Sequence, residues 1–195
     1  MGLRDILTGR HQVKGPAPDR LFAITTAYVT LQAGHQIDPA GSAAIVFQAL
    51  ATSEFEATIK DMEEVVRATG GENGTTVATQ DDDYGYRWMV LRNPEGAPSV
   101  EDLAVGINAV SSSIETAGHG ERLLCAVFAF ADSARQRVYF IYNYKRGYWY
   151  PFVPDPAREK ERLTERELQI KAQVGEELPI EPEIERWFPL WGIPI

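Results

Sequence analysis

Apolar positions recur at helical spacing in some stretches of the chain and at strand spacing in others, and the two kinds alternate in a regular order. Leu21, Ile24, Tyr28 and Leu31 share one helical face, with Asp19 placed to cap the start and Gly34 to end it in a left-handed cap. Asp38-Pro-Ala-Gly41 has the composition of a turn, and Ser42–Gln48 is a short strand that is apolar on both faces. Ser53 opens an amphipathic helix. The Ser53-x-x-Glu56 pattern is a capping box, Phe55, Ile59, Met62 and Val66 make the stripe, and Gly70-Gly71 closes it. Thr75–Thr79 and Tyr84–Leu91 form a hairpin around Asp81-Asp-Asp83, with Tyr86, Trp88 and Val90 on one face and Arg87, Met89 and Leu91 on the other.

Ser99, with Asp102 three residues on, caps a further helix whose stripe is Leu103, Ile107, Val110 and Ile114; Gly118 ends it. Arg122–Phe130 and Arg137–Tyr144 are strands joined by a turn at Ala131–Arg135, and the first is apolar on both faces, as a central strand should be. Lys145-Arg-Gly147 turns the chain into a short strand, Tyr148–Phe152, stopped by Pro154. Arg158–Val174 reads as a surface helix with a thin stripe of Leu163, Ile170 and Val174. From Gly175 the chain is proline-punctuated and ends in an aromatic segment.

Ser53–Leu91 and Ser99–Tyr144 thus share the order capped helix, strand, turn, strand. Hairpin connections force antiparallel neighbours, so the expected fold class is α+β: a mostly antiparallel sheet built from two α-β-β units, helices packed on it, and a C-terminal helix with a Pro/Trp-rich tail. The expected organisation is an N-terminal amphipathic segment and linker at 1–18 (Leu3, Ile6 and Leu7, then Lys14–Pro18), an α+β domain at 19–156, and a helix with an aromatic tail at 157–195, packed on the domain.

Charge and composition narrow the function. A net charge of −9 argues against nucleic acid and anionic lipid as partners, because both need clustered Lys and Arg. The single cysteine, Cys125, excludes an internal disulfide framework and fits a reducing compartment. No apolar run approaches the ~20 residues of a membrane span. Met1–Gly9 lacks the apolar core of a signal peptide, so a cytoplasmic protein without membrane insertion is expected.

Catalytic groupings are not apparent. His11, His35 and His119 lack metal-ligand spacing and Cys125 has no cysteine neighbour, so neither a metal nor a cofactor is expected. Cys125 lies mid-strand among apolar residues, where cysteine is a small hydrophobe. His119 sits in a turn, as do Asp81–Asp83, and Ser111–Ser113 fall inside a helix without the strand–elbow context of a serine hydrolase.

Aromatic density marks the remaining candidates. Eight of the sixteen residues in Tyr139–Pro154 are aromatic, with Lys145 and Arg146 as the only charges. Lys145 and Arg146, with Tyr148 beside them, suit an anion or an acidic partner surface. Trp187 and Trp191, with Phe188 and Leu190, need cover, either from the domain or from another chain.

Five pieces occur together in order: Met1-Gly-Leu-Arg-Asp-Ile-Leu-Thr-Gly9; Asp83-Tyr-Gly-Tyr86 with Trp88; Leu123-Leu-Cys125 with Phe128 and Phe130; Tyr144-Lys-Arg-Gly147 with Tyr150-Pro-Phe152; and Arg186-Trp-Phe-Pro-Leu-Trp-Gly192. This combination resembles the PspA-associated PspAB family over essentially the whole chain. The resemblance implies a cytoplasmic accessory of an envelope-stress (phage shock protein) system built on a membrane-associated coiled-coil protein, PspA. It implies no catalytic residues.

The leading expectation is therefore a non-enzymatic adaptor that binds a PspA-type coiled-coil protein through Lys145, Arg146, Tyr148, Trp187 and Trp191. A second reading is a dimeric binding module resembling type III secretion chaperones or YbjN-type proteins. A third is an enzyme or small-molecule sensor with a pocket beneath the hairpin.

Overall fold

The computed structural model describes residues 18–70 and 73–195. The amphipathic piece at Leu3–Leu7 and the linker up to residue 17 lie outside the described residues, as does Gly71. A six-stranded antiparallel sheet organises the rest, in the order β2-β3-β1-β4-β5-β6. The strands are β1 (Ile37–Gln48), β2 (Thr76–Asp81), β3 (Tyr86–Arg92), β4 (Leu123–Asp132), β5 (Arg137–Asn143) and β6 (Tyr148–Phe152). The helices are α1 (Pro18–Phe22), α2 (Ile24–His35), α3 (Ser53–Gly70), α4 (Val100–Thr116) and α5 (Thr164–Val174).

The two α-β-β units are α3-β2-β3 and α4-β4-β5, and they flank β1, which pairs with β3 on one side and β4 on the other. β4 is central, as its two-sided apolar pattern requires, and Ala126, Val127 and Phe128 have essentially no exposure. Side chains alternate between two cores. Met89, Leu91, Ala126, Phe128 and Phe140 join the helices on one face, while Trp88, Val90, Val127, Ile141 and Tyr150 face the other.

Among the described residues, that second face is not covered by a helix. Trp187 and Ile195 are buried in it, and Leu190, Trp191 and Ile193 pack against it. The C-terminal tail therefore replaces a helical layer. It also finishes the β6 edge: Trp149 N donates to Pro179 O at 2.9 Å, and Glu181 N donates to Trp149 O at 2.7 Å.

Several local expectations shift. Asp38–Gly41 is not a free turn but part of β1, with a register break between Pro39 and Ser42. Pairing with β3 begins only at Ser42, so Pro39 lies where β1 has β4 alone beside it, a position that tolerates a missing N–H. Gly41 takes φ 69° at the break, which favours glycine.

The first helix is split into α1 and α2, and α1 begins at Pro18 itself, with Asp19 inside its first turn rather than before it. Proline at the first helical position loses no bond, and an acid there complements the helix dipole. Gly34 stays helical, and Gln36 adopts the left-handed cap with φ 54°.

At α3 the side-chain cap is Thr52, whose Oγ1 accepts from Phe55 N at 3.3 Å. Ser53 is inside the helix, and Glu56 turns away to Arg87. The Ser99 cap of α4 is as expected, its Oγ accepting from Asp102 N at 3.1 Å.

The C-terminal helix is shorter than 158–174. Residues 158–163 are not helical, Lys160 has φ 55°, and Arg162 pairs with Pro154 in an isolated bridge. No helix among the described residues is long and apolar enough to cross a membrane.

Candidate functional site

The β5–β6 hairpin is tight because Asn143 organises it. Its Oδ1 accepts from Lys145 N at 3.0 Å and Arg146 N at 3.2 Å, and its carbonyl accepts from Gly147 N at 2.8 Å. Gly147 takes φ 68°, the left-handed geometry such a turn needs. Lys145 projects into solvent from the tip.

Tyr148 is half-buried between two guanidinium groups. Arg20 of α1 lies 5.1 Å from its ring centroid and Arg146 lies 6.0 Å away. Arg20 also donates from Nη1 to Gly147 O at 3.2 Å, and its own carbonyl accepts from Trp149 Nε1 at 2.7 Å. Three cations and one aromatic ring therefore share this corner of a protein with net charge −9. Arg20 was not among the sequence candidates, because nothing local links position 20 to position 148.

Arg146 is only partly free. Its Nε and Nη2 both bond Glu181, the second at 3.1 Å, and Glu183 lies 3.7 Å from Nη2. Glu181 is 2 % exposed. The Arg146 guanidinium beside it holds its carboxyl below the usual carboxylate range, against the opposing effect of burial.

The structure gives Trp187 to the chain's own fold. It is 2 % exposed, stacked on Tyr150 with centroids 6.4 Å apart, and its Nε1 donates to Glu181 O at 3.0 Å. Trp191 is half-buried, with its ring 5.2 Å from Phe152 in an edge-on contact. Tyr150 and Tyr139 hydroxyls donate to the tail carbonyls of Phe188 and Ile195, each at 3.0 Å. Of the tail aromatics, Phe188 is the one left substantially exposed, at 58 %.

A second buried ion pair escaped the sequence reading. Glu167 is fully buried on α5, where Oε1 accepts from Val153 N at 2.8 Å and Oε2 from Arg162 Nε at 2.8 Å. Arg162 Nη1 continues to Trp187 O at 2.5 Å. The signal was present: Leu163, Glu167, Ile170 and Val174 share one helical face, so a carboxylate sits in the apolar stripe and needs a partner.

The remaining candidates have structural surroundings. Cys125 is buried, and burial pushes its thiol up to about 12. His119 is half-buried rather than exposed, with its ring edge-on to Phe55 at 5.1 Å. Asp82 ties the β2–β3 turn, accepting from Tyr84 N, Tyr86 N and Trp88 Nε1, each at 2.9 Å. No cluster of metal-ligating side chains occurs among the described residues. A cleft of 790 Å³ lies at the opposite end of β5 from the hairpin, between the β1 break, Asn93–Pro98 and the β4–β5 turn, and Asp38, Asp132, Arg135 and Arg137 line it with mixed charge.

A model of the PspAB family, described as PspA associated protein B, matches residues 1–195. The chain belongs to the PspAB family. That description associates it with PspA and fits an accessory protein. No curated protein and no solved structure matches the chain. The Tyr144-Lys-Arg-Gly147 and Trp187–Trp191 pieces that carry the PspAB resemblance are the two halves of one assembly, joined by Arg146–Glu181 and Tyr150–Trp187.

Proposed function

We propose that this PspAB protein is a non-enzymatic, cytoplasmic adaptor of a PspA-type envelope-stress system. It binds its coiled-coil partner through the corner formed by Arg20, Lys145, Arg146 and Tyr148. One observation carries the reading: exposed Arg20 and Lys145 and half-buried Arg146 gather at Tyr148 on an otherwise acidic protein. Rigid aromatic and arginine groups are favoured interface anchors, and acidic positions on a helical partner complement this corner.

In this reading the Trp187 side chain supports the site from behind, whereas Phe188 and the half-exposed Trp191 extend the contact surface. The test is titration of purified PspA-type protein from the same source against wild type and Lys145→Glu. Lys145 makes no side-chain contact that the fold depends on, so its reversal should leave melting unchanged and weaken binding by about tenfold or more. Equal affinity for both proteins would move the contact elsewhere.

A further inference from the structure

The two edges of the sheet are finished differently. Pro179–Glu181 and Leu163 take up backbone groups of β6 and the residue after it, but among the described residues β2 ends the sheet with no strand beyond it. Asp82 N bonds Tyr86 O on the β2 side of the hairpin, and Asn93 N bonds Gly41 O on the β1 side of β3. Antiparallel alternation then turns the backbone N–H and C=O groups of Val77, Thr79 and Asp81 outward. β2 contains no proline, lysine or bulge, the devices by which natural edges are usually protected.

A groove of 320 Å³ runs beside this edge, between β2 and α3, lined by Glu56, Lys60, Glu63, Thr79, Asp81 and Arg87 among others. The Thr79 hydroxyl oxygen there is buried and has no hydrogen-bond partner. We infer that the β2 edge and this groove form a docking site for an extended, basic segment of a partner protein, which adds as a further strand beside β2. The added backbone bonds Val77, Thr79 and Asp81, and every second side chain enters the groove.

Charge selects this occupant over a second copy of the chain. Within the groove Arg87 neutralises Asp81 and Glu56, bonding each at 2.7 Å, and Lys60 is the other cation beside Glu63; the acidity lies around it, in the exposed Glu54, Asp61 and Glu64 of α3 and in Asp82 and Asp83 at the strand's end. Two copies meeting at β2 would bring two acidic α3 helices together on chains of net charge −9. The inference is independent of the hairpin corner, which lies at β5–β6 on the far side of the sheet order.

Amide hydrogen exchange of the full chain, together with affinity measurement, tests it with three synthetic peptides of about eight residues, the length of an ordinary strand. One alternates Lys and Val, one alternates Glu and Val, and the third is the Lys/Val peptide N-methylated at alternate residues. The Lys/Val peptide should bind saturably and slow exchange at Val77, Thr79 and Asp81, and the Glu/Val peptide should not bind. N-methylation should weaken binding at least about tenfold, because ladder bonds are lost.

Thr79→Pro removes an outward N–H without removing a ladder bond to β3 and should have a similar effect with melting preserved. Should that variant fold poorly, the N-methylated peptide decides alone. Absent binding of the Lys/Val peptide, or equal affinity for its N-methylated form, would overturn the inference. So would protection of these amides that rises with protein concentration when no peptide is present, since a second copy would then be the occupant.

Discussion

Arg146, at the tip of the β5–β6 hairpin, grips the buried carboxylate of Glu181 on the C-terminal tail across 35 positions of sequence. The hairpin and the tail are therefore one unit, and the cationic corner is held in place from below. Arg146→Ala leaves Glu181 charged and unpaired in a buried setting, which is costly. It should lower the melting temperature more than Lys145→Ala does, and Arg146→Ala with Glu181→Gln should recover part of the loss. Thermal unfolding of the four proteins checks this, and equal melting of the two single variants would deny the pair its role.

The same pair sets an acid limit. The Glu181 carboxyl is depressed below its ordinary 4.5, so the unfolded chain takes up a proton more readily than the folded one. Its stabilising contribution is complete above that ordinary value and is lost as pH falls through the lower folded value. Asp81, depressed by Arg87, acts in the same direction. Urea midpoints followed from about pH 6 to about pH 3 should fall on the acid side, and less steeply in Glu181→Gln.

Trp187→Ala should destabilise the protein by about 3–5 kcal/mol, as loss of a buried large aromatic usually does. Trp187→Phe keeps a ring over Tyr150 but loses the bond to the Glu181 carbonyl, and should cost less, on the order of 1 kcal/mol for that bond. Urea unfolding separates the two. A near-neutral Trp187→Ala would mean that the tail is not part of the folded unit.

Gly106 tests how α4 meets the sheet. A Cβ there would lie 2.4 Å from Leu91 Cδ2, and Leu91 is fully buried. Alanine is the better helix former by up to about 1 kcal/mol, yet Gly106→Ala should destabilise by roughly 1–3 kcal/mol through overpacking. A stabilised variant would contradict the close approach.

Cys125 should resist thiol reagents in the folded protein. Burial raises its thiol to about 12, and the thiolate is the reactive form. Labelling at mild alkaline pH should proceed only as fast as the protein opens, and immediate labelling of the native protein would contradict the burial.

The sheet's construction was legible where the pattern is local. The Ser99 cap, the α3 and α4 stripes and the alternation of Trp88 and Val90 against Met89 and Leu91 each depend on neighbours within a few residues. Readings failed where distant contacts choose between local options. Thr52 and Ser53 can both cap α3, and the packing register selects Thr52. Pro39 and Gly41 look like a turn, but β4 continues beside them while β3 does not. Arg158–Arg162 has helical composition, yet Arg158 pairs with Asp155 and Glu161, and Arg162 with Glu167, along a path of bends and a turn. The candidate site shows the same division. Lys145, Arg146 and Tyr148 were readable as a group, whereas Arg20 and Glu181, which hold them, lie more than thirty positions away.

The proposed contact between a PspA-type coiled-coil protein and the corner around Lys145, Arg146 and Tyr148 can be mapped on the protein itself. Amide hydrogen exchange across the full chain, with and without saturating partner, tests it most directly. Slowed exchange is expected at Lys145–Tyr148 and in neighbouring α1, with little change in the cleft at Asn93–Gly96. Unchanged exchange at Lys145–Tyr148 in a saturated complex would contradict it.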